Sequence, residues 1–135
     1  MKQIDLPFRI DLQFGNWEFD LDFLPQRIVG YYSFKYIGKE YNILFNILTH
    51  KTELIFNADY LTAVIITINN ANITILVCIN SILSKKTHKV ILIDKYSTKF
   101  IISDIIYSTK YFPKKRQILV LYGKSNLTNK LLTII

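Results

Sequence analysis

The sequence contains few residues of the types that form covalent cross-links or metal sites. Cys78 is the single cysteine, and the 135 residues include only two histidines, which excludes an intramolecular disulfide, a thiolate metal cluster and a three-histidine metal site. Proline and glycine are scarce, with three and four residues, while half of all positions are apolar. A chain of this length buries roughly 65 to 70% of its unfolded surface. We therefore expect one domain that folds without a metal or cofactor.

The sequence also lacks a long apolar run. Its longest candidate, Ala71 to Leu83, is interrupted by polar residues and is shorter than the roughly 20 apolar residues that a spanning helix needs. Residues 1–14 carry acids and a proline where a secretory signal would need an unbroken apolar stretch. These features predict a soluble protein without a membrane span or a recognisable secretion signal, located inside a cell, a virus or an organelle.

Five residue types dominate what is present. Ile, Lys, Asn, Tyr and Phe make up 65 of the 135 residues, and AT-rich codons supply this set. The composition is typical of an AT-rich genome, such as that of a phage, another virus or an organelle. Because the same codon bias produces lysine, the sequence pI of about 9.5 is weak support for nucleic-acid binding.

The first 23 residues show the clearest periodicity. Apolar and polar side chains alternate over Leu6–Phe14 and over Trp17–Phe23, and Gly15-Asn16 between them suits a tight turn. With a two-residue loop, every apolar side chain of both segments falls on one face. The pattern predicts a β-hairpin with one apolar and one polar face. The Gly15-x-Trp17 spacing resembles the opening of lipocalin-type barrels over three residues, but the tight turn explains these residues without a ligand.

Two further segments satisfy the same pairing test. One hairpin is predicted over 32–45, with Gly38-Lys39 as its loop and Tyr36 opposite Tyr41. The other pairs Thr62–Ile68 with Ile73–Ile79. Because this last unit is apolar on both faces, we expect it to be central and covered on both sides.

The second half of the chain predicts three more strands. These are the β-branched runs Lys89–Asp94, Lys99–Tyr107 and Gln117–Tyr122. Glu53–Tyr60 is ambiguous, and Leu127–Ile135 is compatible with a short helix, an extra strand or an arm ordered on a partner.

Together these segments predict an all-β fold. We expect a single antiparallel sandwich or barrel of about eight or nine strands, built from consecutive hairpins, with a possible short C-terminal helix or arm. The β domain covers 1–126, and an apolar C-terminal tail covers 127–135.

Charge is segregated along the chain. Residues 1–22 carry a net charge of −3 and residues 85–130 a net charge of +9. The acids of the first hairpin are predicted to share one face, formed by Asp11, Glu18, Asp20 and Asp22. Calcium binding and a carboxylate pair for glycoside cleavage are possible uses of such acids, but their spacing matches no calcium loop and an exposed face is not a cleft. We therefore favour a solvated face that meets water or a basic partner.

The basic segment interleaves lysines with tyrosines. Cations that follow phosphates and aromatic rings that stack on bases are what single-strand binding requires. No RNP-type or zinc-finger pattern accompanies them. The candidate nucleic-acid contacts are Lys85, Lys86, Lys89, Lys110, Tyr111, Lys114, Lys115 and Arg116.

Catalytic signatures are missing. Cys78 lies in an apolar run and is expected to be a buried, inert thiol, and His50 and His88 lie beside lysines without a matching nucleophile or acid. Gly123-Lys124-Ser125 lacks the glycine that a phosphate-binding loop needs five residues earlier. We predict no enzymatic activity, no catalytic residues, no metal and no cofactor.

These observations favour a non-enzymatic β-rich module for binding or assembly within a larger protein or nucleoprotein complex, for example a small structural component of a virus, phage or organelle. Its expected partner is another protein or a second copy of itself, with nucleic acid possible. The alternative is a basic, OB-like protein that binds single-stranded nucleic acid. A third hypothesis is a β-barrel carrier of an apolar ligand.

Overall fold

The fold is built on one antiparallel sheet. The computed structural model describes residues 3–135. Eight strands follow the order β1-β2-β5-β6-β10-β9-β8-β7, and β3 and β4 form a separate two-stranded ribbon. The strands are β1 Leu21–Leu24, β2 Tyr32–Tyr36, β3 Ile43–Leu44, β4 Ile47–Leu48, β5 Lys51–Asn57, β6 Tyr60–Ile68, β7 Lys89–Asp94, β8 Ser97–Ile102, β9 Ile105–Phe112 and β10 Gln117–Lys124, and the helices are α1 Ile73–Lys86 and α2 Ser125–Leu132. The prediction of a mainly β, antiparallel fold is confirmed.

Helix α1 and the N-terminal segment cover one face of the sheet, which we call the α1 face. Leu76, Ile79 and Leu83 of α1 share a buried cluster with Phe100 of β8 and Tyr107 of β9. Their spacing of three and four residues places them on one side of the helix. The main core therefore lies between α1 and the sheet.

Helix α2 covers the opposite face, which we call the α2 face. Leu127 and Leu131 of α2 are buried against Ile55, Ala63 and Ile65 of strands β5 and β6. The prediction that Thr62–Ile68 forms a central strand covered on both sides is confirmed, because β6 lies inside the sheet with buried residues on both faces.

The predicted N-terminal hairpin is wrong. Asp11 adopts a positive φ of 75°, which interrupts an extended chain, and residues 14–16 and 18–20 form 3-10 turns. The segment instead lies across the core, where the Tyr122 hydroxyl donates to the Phe8 carbonyl oxygen and the Ile4 amide donates to the Tyr107 hydroxyl over 3.1 Å. Burial raises the pKa of Tyr122 well above its ordinary value.

The apolar residues of this segment consequently do not share one face. Phe8, Ile10 and Trp17 are buried, whereas Phe19 and Phe23 are 91% and 68% exposed. The alternation of apolar and polar residues therefore did not predict the backbone conformation of this segment.

The predicted pairing of the second hairpin is also wrong. Tyr32–Tyr36 is a strand, but it pairs with β1 and β5. The following residues form the separate ribbon of β3 and β4. Its two-residue turn, Phe45-Asn46, has positive φ at both positions, as a tight hairpin turn requires.

The predicted strand Ile73–Ile79 is the first half of α1. Asn72 caps the helix by accepting a hydrogen bond of 2.9 Å from the Ile75 amide. The helical spacing becomes visible only when the window extends to Leu83, because the first seven residues are apolar or β-branched throughout.

The later strands are confirmed with one change. Lys89–Asp94 and Gln117–Tyr122 lie in β7 and β10, whereas the predicted single strand Lys99–Tyr107 spans two strands, β8 and β9. They are joined by Ser103-Asp104, with Ser103 at φ 56°. The ambiguous segment Glu53–Tyr60 contributes most of β5, and the tail contributes most of α2, which matches the helical alternative.

Candidate functional site

A groove of about 520 Å³ opens on the α2 face. Strands β8, β9 and β10 form its floor, α2 and the C-terminal residues form one wall, and the end of β7 forms the other. A cavity of this size lies within the range of about 300 to 1,000 Å³ that is typical of small-molecule sites.

The strand register sets the chemistry of the floor. One cross-strand row runs Ser97, Lys110 and Leu119, and the next runs Lys99, Ser108 and Leu121. Residues that are directly opposite on neighbouring strands point to the same face. The floor therefore changes from cationic and hydroxyl-bearing at β8 and β9 to apolar at β10, in a set of six side chains: Ser97, Lys99, Ser108, Lys110, Leu119 and Leu121.

The two lysines of the floor contact neutral side chains. Lys99 Nζ donates to Asn129 Oδ1 on α2 over 3.3 Å, and Lys110 Nζ lies 5.2 Å from the centroid of the Phe112 ring. Across residues 3–135 neither lysine forms a salt bridge. The acid of the lining is Asp94, whose Oδ1 accepts a hydrogen bond of 2.8 Å from the Tyr96 amide.

Strand β7, which forms the second wall, is an edge strand of the sheet. It pairs with β8 on one side and ends the strand order on the other. Three of its four large apolar side chains are exposed, with Val90 at 50%, Leu92 at 74% and Ile93 at 52%, and Ile91 is partly buried. An edge strand with exposed apolar side chains is a template for pairing with another chain.

The predicted nucleic-acid contacts lie in two separate places, at the two ends of helix α1. The helix begins beside Arg116, where the Ala71 amide donates to the Arg116 carbonyl oxygen over 2.8 Å. It ends at Lys86. Its 14 residues span about 20 Å at about 1.5 Å per residue. We call the two ends of the sheet the Pro113 end, with turns 95–96 and 113–116, and the Asp104 end, with turn 103–104.

Lys85, Lys86 and Lys89 lie at the Asp104 end, because Lys89 pairs with Ile101 near the end of β8. The other five predicted contacts lie at the Pro113 end, where Lys110 pairs with Ser97: Lys110, Tyr111, Lys114, Lys115 and Arg116. The structure therefore does not bring the eight residues together into one surface.

Aromatic rings accompany the cations at the Pro113 end. The Tyr96 and Tyr111 ring centroids are 5.4 Å apart in an edge-to-face arrangement. The Phe112 ring centroid lies 5.5 Å from Lys115 Nζ as well as close to Lys110. These three rings are only partly buried.

The four predicted acidic residues do not share one face, because the hairpin that would align them is not formed. Asp11 Oδ2 lies 2.9 Å from Lys124 Nζ of β10, and this hydrogen bond raises the pKa of Lys124. Asp22 lies in β1, four strand positions away from β10, or roughly 19 Å at the usual spacing of about 4.8 Å. Glu18 and Asp20 lie in the 3-10 turn that precedes β1.

Cys78 is exposed on α1, so the prediction of a buried thiol is wrong. The error follows from the missed helix, because a strand at 73–79 would have placed Cys78 inside the sheet.

Within residues 3–135, no group of three or more His, Cys, Asp and Glu side chains is placed to hold a metal ion. Neither helix of this part of the chain has the length and apolar composition needed to cross a bilayer.

Comparisons with protein-family profiles, with curated proteins and with solved structures find no match for this chain. The functional proposals therefore rest on strand β7, the groove and the Pro113 end.

Sequence reasoning missed Lys99 and the exposed edge of β7. Lys99 is the one charged residue in the β-branched and aromatic run 98–102, which could have placed it on an accessible face. The exposure of Val90 and Leu92 had no sequence signal, because it depends on which strand lies at the edge.

Proposed function

We propose that the protein is a non-enzymatic assembly module of a larger complex, and that two copies associate through antiparallel pairing of their β7 strands. The exposed apolar edge of β7 is the observation that carries this proposal. An unpaired strand edge supplies backbone hydrogen bonds, and its side chains supply specificity.

The β7 sequence suits pairing with itself. With a two-fold axis at Ile91, Val90 of each copy lies opposite Leu92 of the other. Val90 and Leu92 pair with Phe100 and Thr98 of β8 and therefore both point to the α1 face. Pairing would cover two exposed apolar side chains of each copy with those of the other.

The charges of β7 suit the same arrangement. His88 and Lys89 lie at the start of the strand and Asp94 at its end. The pairing of β7 with β8 is irregular between Leu92 and Asp94, so the regular register about Ile91 covers Val90–Leu92. Beyond it, antiparallel pairing would bring the basic start of each copy towards the acidic end of the other. The resulting contact is isologous and closed, so it would produce a dimer and not a filament.

The size of the contact predicts moderate affinity. Full burial of a Val or Leu side chain contributes about 1.5 to 3 kcal/mol, and four side chains that are now half to three-quarters exposed would contribute roughly 4 to 8 kcal/mol. Association itself costs about 4 to 15 kcal/mol. Since the ladder hydrogen bonds must supply the remainder, we expect a dimer that dissociates on dilution.

Leu92→Lys is expected to abolish the dimer, because it places a charge in the centre of the contact. Leu92 is 74% exposed, so the substitution leaves the monomer fold unchanged. The matched control is Val77→Lys on α1, which adds the same charge at a side chain that is 61% exposed and lies outside β7. Light scattering after size-exclusion chromatography over a concentration series measures the mass. A wild-type chain that stays monomeric throughout, or two variants that behave alike, would refute the proposal.

The Pro113 end supports a second candidate function, binding of single-stranded nucleic acid. Five cations lie there within two turns and an adjoining strand, together with three partly buried aromatic rings: Lys95, Tyr96, Lys110, Tyr111, Phe112, Lys114, Lys115 and Arg116. Cations that track phosphates beside aromatic stacking surfaces are the usual means of binding single strands.

This candidate predicts a specific dependence on salt. Each phosphate contact adds about −0.7 to the slope of log K against log salt for single strands. The triple variant Lys114→Gln, Lys115→Gln, Arg116→Gln should therefore reduce the magnitude of the slope by about 2. The matched control is Lys85→Gln, Lys86→Gln, Lys89→Gln, which removes the same charge at the Asp104 end. Fluorescence anisotropy of a labelled oligothymidine gives both slopes, and equal slopes for the two variants would argue against a site at the Pro113 end.

A further inference from the structure

We propose that the groove on the α2 face binds a small amphipathic anion, of the class of medium-chain carboxylates, with its head group between Lys99 and Lys110 and its apolar chain along β10. The proposed ligand contacts lie on the floor strands β8, β9 and β10, and the groove shares only its wall of Ile93 and Asp94 with the strand proposed for dimer formation.

The distribution of charge in the groove favours a ligand with an anionic head group. Lys99 and Lys110 occupy diagonal positions of the two cross-strand rows, and each is next to a serine of the neighbouring strand. Ammonium and hydroxyl groups at such positions donate hydrogen bonds to an anion. Lys99 and Lys110 form no salt bridge within residues 3–135. The lining holds these two lysines and one carboxylate side chain, Asp94, so its side chains carry a net positive charge that is complementary to an anion.

The apolar part of the groove favours a ligand whose remaining atoms form an apolar chain. Leu119 and Leu121 continue the two rows on β10, and Leu132 faces the same space from α2. Apolar lining with a few placed polar groups is the usual composition of a small-molecule site. A ligand that is anionic at one end and apolar over the remainder matches this gradient, whereas a fully polar anion would leave the leucines uncovered.

The lysines are also held in place before a ligand arrives. Lys99 Nζ bonds to Asn129 of α2, which connects the floor to the wall, and Lys110 lies along Phe112. Side chains that are already ordered lose less conformational freedom on binding.

Titration of the isotope-labelled chain with decanoate below its micellar concentration, followed by NMR, tests the proposal. We expect saturable one-to-one shifts centred on the amides of Lys99, Leu119 and Leu132. Decanol, which has the same chain without the charge, should bind about tenfold more weakly or worse, because it loses the charge-assisted hydrogen bonds.

Lys99→Met and Lys110→Met should each weaken decanoate binding by about tenfold and leave decanol binding unchanged. Methionine retains much of the apolar length of lysine, and Lys39→Met, in the exposed loop before β3, is the control that removes the same charge outside the groove. If either groove variant fails to fold, the comparison of decanoate with decanol on the wild-type chain still decides. Equal affinity for the two ligands, an equal effect of Lys39→Met, or the absence of saturable shifts in the groove would each overturn the proposal.

Discussion

Gly123→Ala is expected to destabilise the fold by about 3 kcal/mol or more, which is the upper part of the range for overpacked cores. Gly123 lies in β10 opposite Ala63 of β6. A Cβ atom there would collide with the Thr62 carbonyl oxygen and lie 2.7 Å from the Ala63 Cα. Both are backbone atoms of a central strand, so relief requires β6 and β10 to separate. The midpoint of urea unfolding measures the loss.

Gly15→Ala is the matched control. A Cβ atom at Gly15 meets nothing within 4 Å, so the added methyl group should change the free energy of unfolding by less than about 0.5 kcal/mol. If Gly123→Ala is as stable as Gly15→Ala, then β6 and β10 are not in the described contact.

Arg27→Met is expected to be the second most damaging change. Glu53 is only 3% exposed, and its two carboxylate oxygens accept from Arg27 Nε at 2.7 Å and from Arg27 Nη2 at 3.0 Å. These hydrogen bonds raise the pKa of Arg27. Removal of one partner from a buried pair typically costs about 3 to 5 kcal/mol. Because the Arg27 side chain is 36% exposed, we expect about 2 to 3 kcal/mol after allowance for solvent screening.

The double variant Arg27→Met, Glu53→Leu separates the buried charge from the lost packing. Replacement of both partners by apolar side chains is often nearly neutral, so most of the lost stability should return. Thermal or urea unfolding of the two variants at pH 7 gives the comparison. A double variant that is no more stable than the single variant would show that the unpaired carboxylate of Glu53 is not the cause.

The strands of the fold were predictable where local pattern and tertiary contacts agree. β6, β7 and β10 lie at the positions where β-branched and apolar residues are continuous. The strands predicted from sequence alternation at the N-terminus were wrong, because Phe8, Ile10 and Trp17 pack into the core from an irregular segment. Their side chains can be buried without an extended backbone. The strand predicted at α1 was wrong because β-branched residues favour strands by propensity, whereas the Asn72 cap and the burial of one helical side outweigh that preference.

The groove was less predictable than the fold, because its residues come from three strands in a particular register. Lys99 can be placed beside Ser108 only if the turn at Ser103-Asp104 is recognised. With Lys99–Tyr107 taken as one strand, the cross-strand rows could not be constructed. Ser103 adopts a positive φ, which serine does less readily than glycine, so this turn carries no strong sequence signal.

The prediction of one basic surface from the charge pattern was wrong for a related reason. The segregation of acids and bases along the sequence is real, but its meaning in space depends on topology. Helix α1 carries Lys85 and Lys86 to the Asp104 end, and the following strands return the chain to the Pro113 end. A single basic segment thereby becomes two clusters, of which only the one at the Pro113 end contains the aromatic rings.

Cysteine cross-linking across β7 tests the proposed dimer most directly. In a Cys78→Ser background, Ile91→Cys places one thiol of each copy at the two-fold axis, where directly opposed Cα atoms are about 4.5 to 5.5 Å apart. This separation lies within the range of about 4.4 to 6.8 Å that a disulfide spans. We expect oxidation to give a covalent dimer with Ile91→Cys and only background cross-linking with Val77→Cys. No covalent dimer from Ile91→Cys, or an equal yield from Val77→Cys, would contradict assembly through β7.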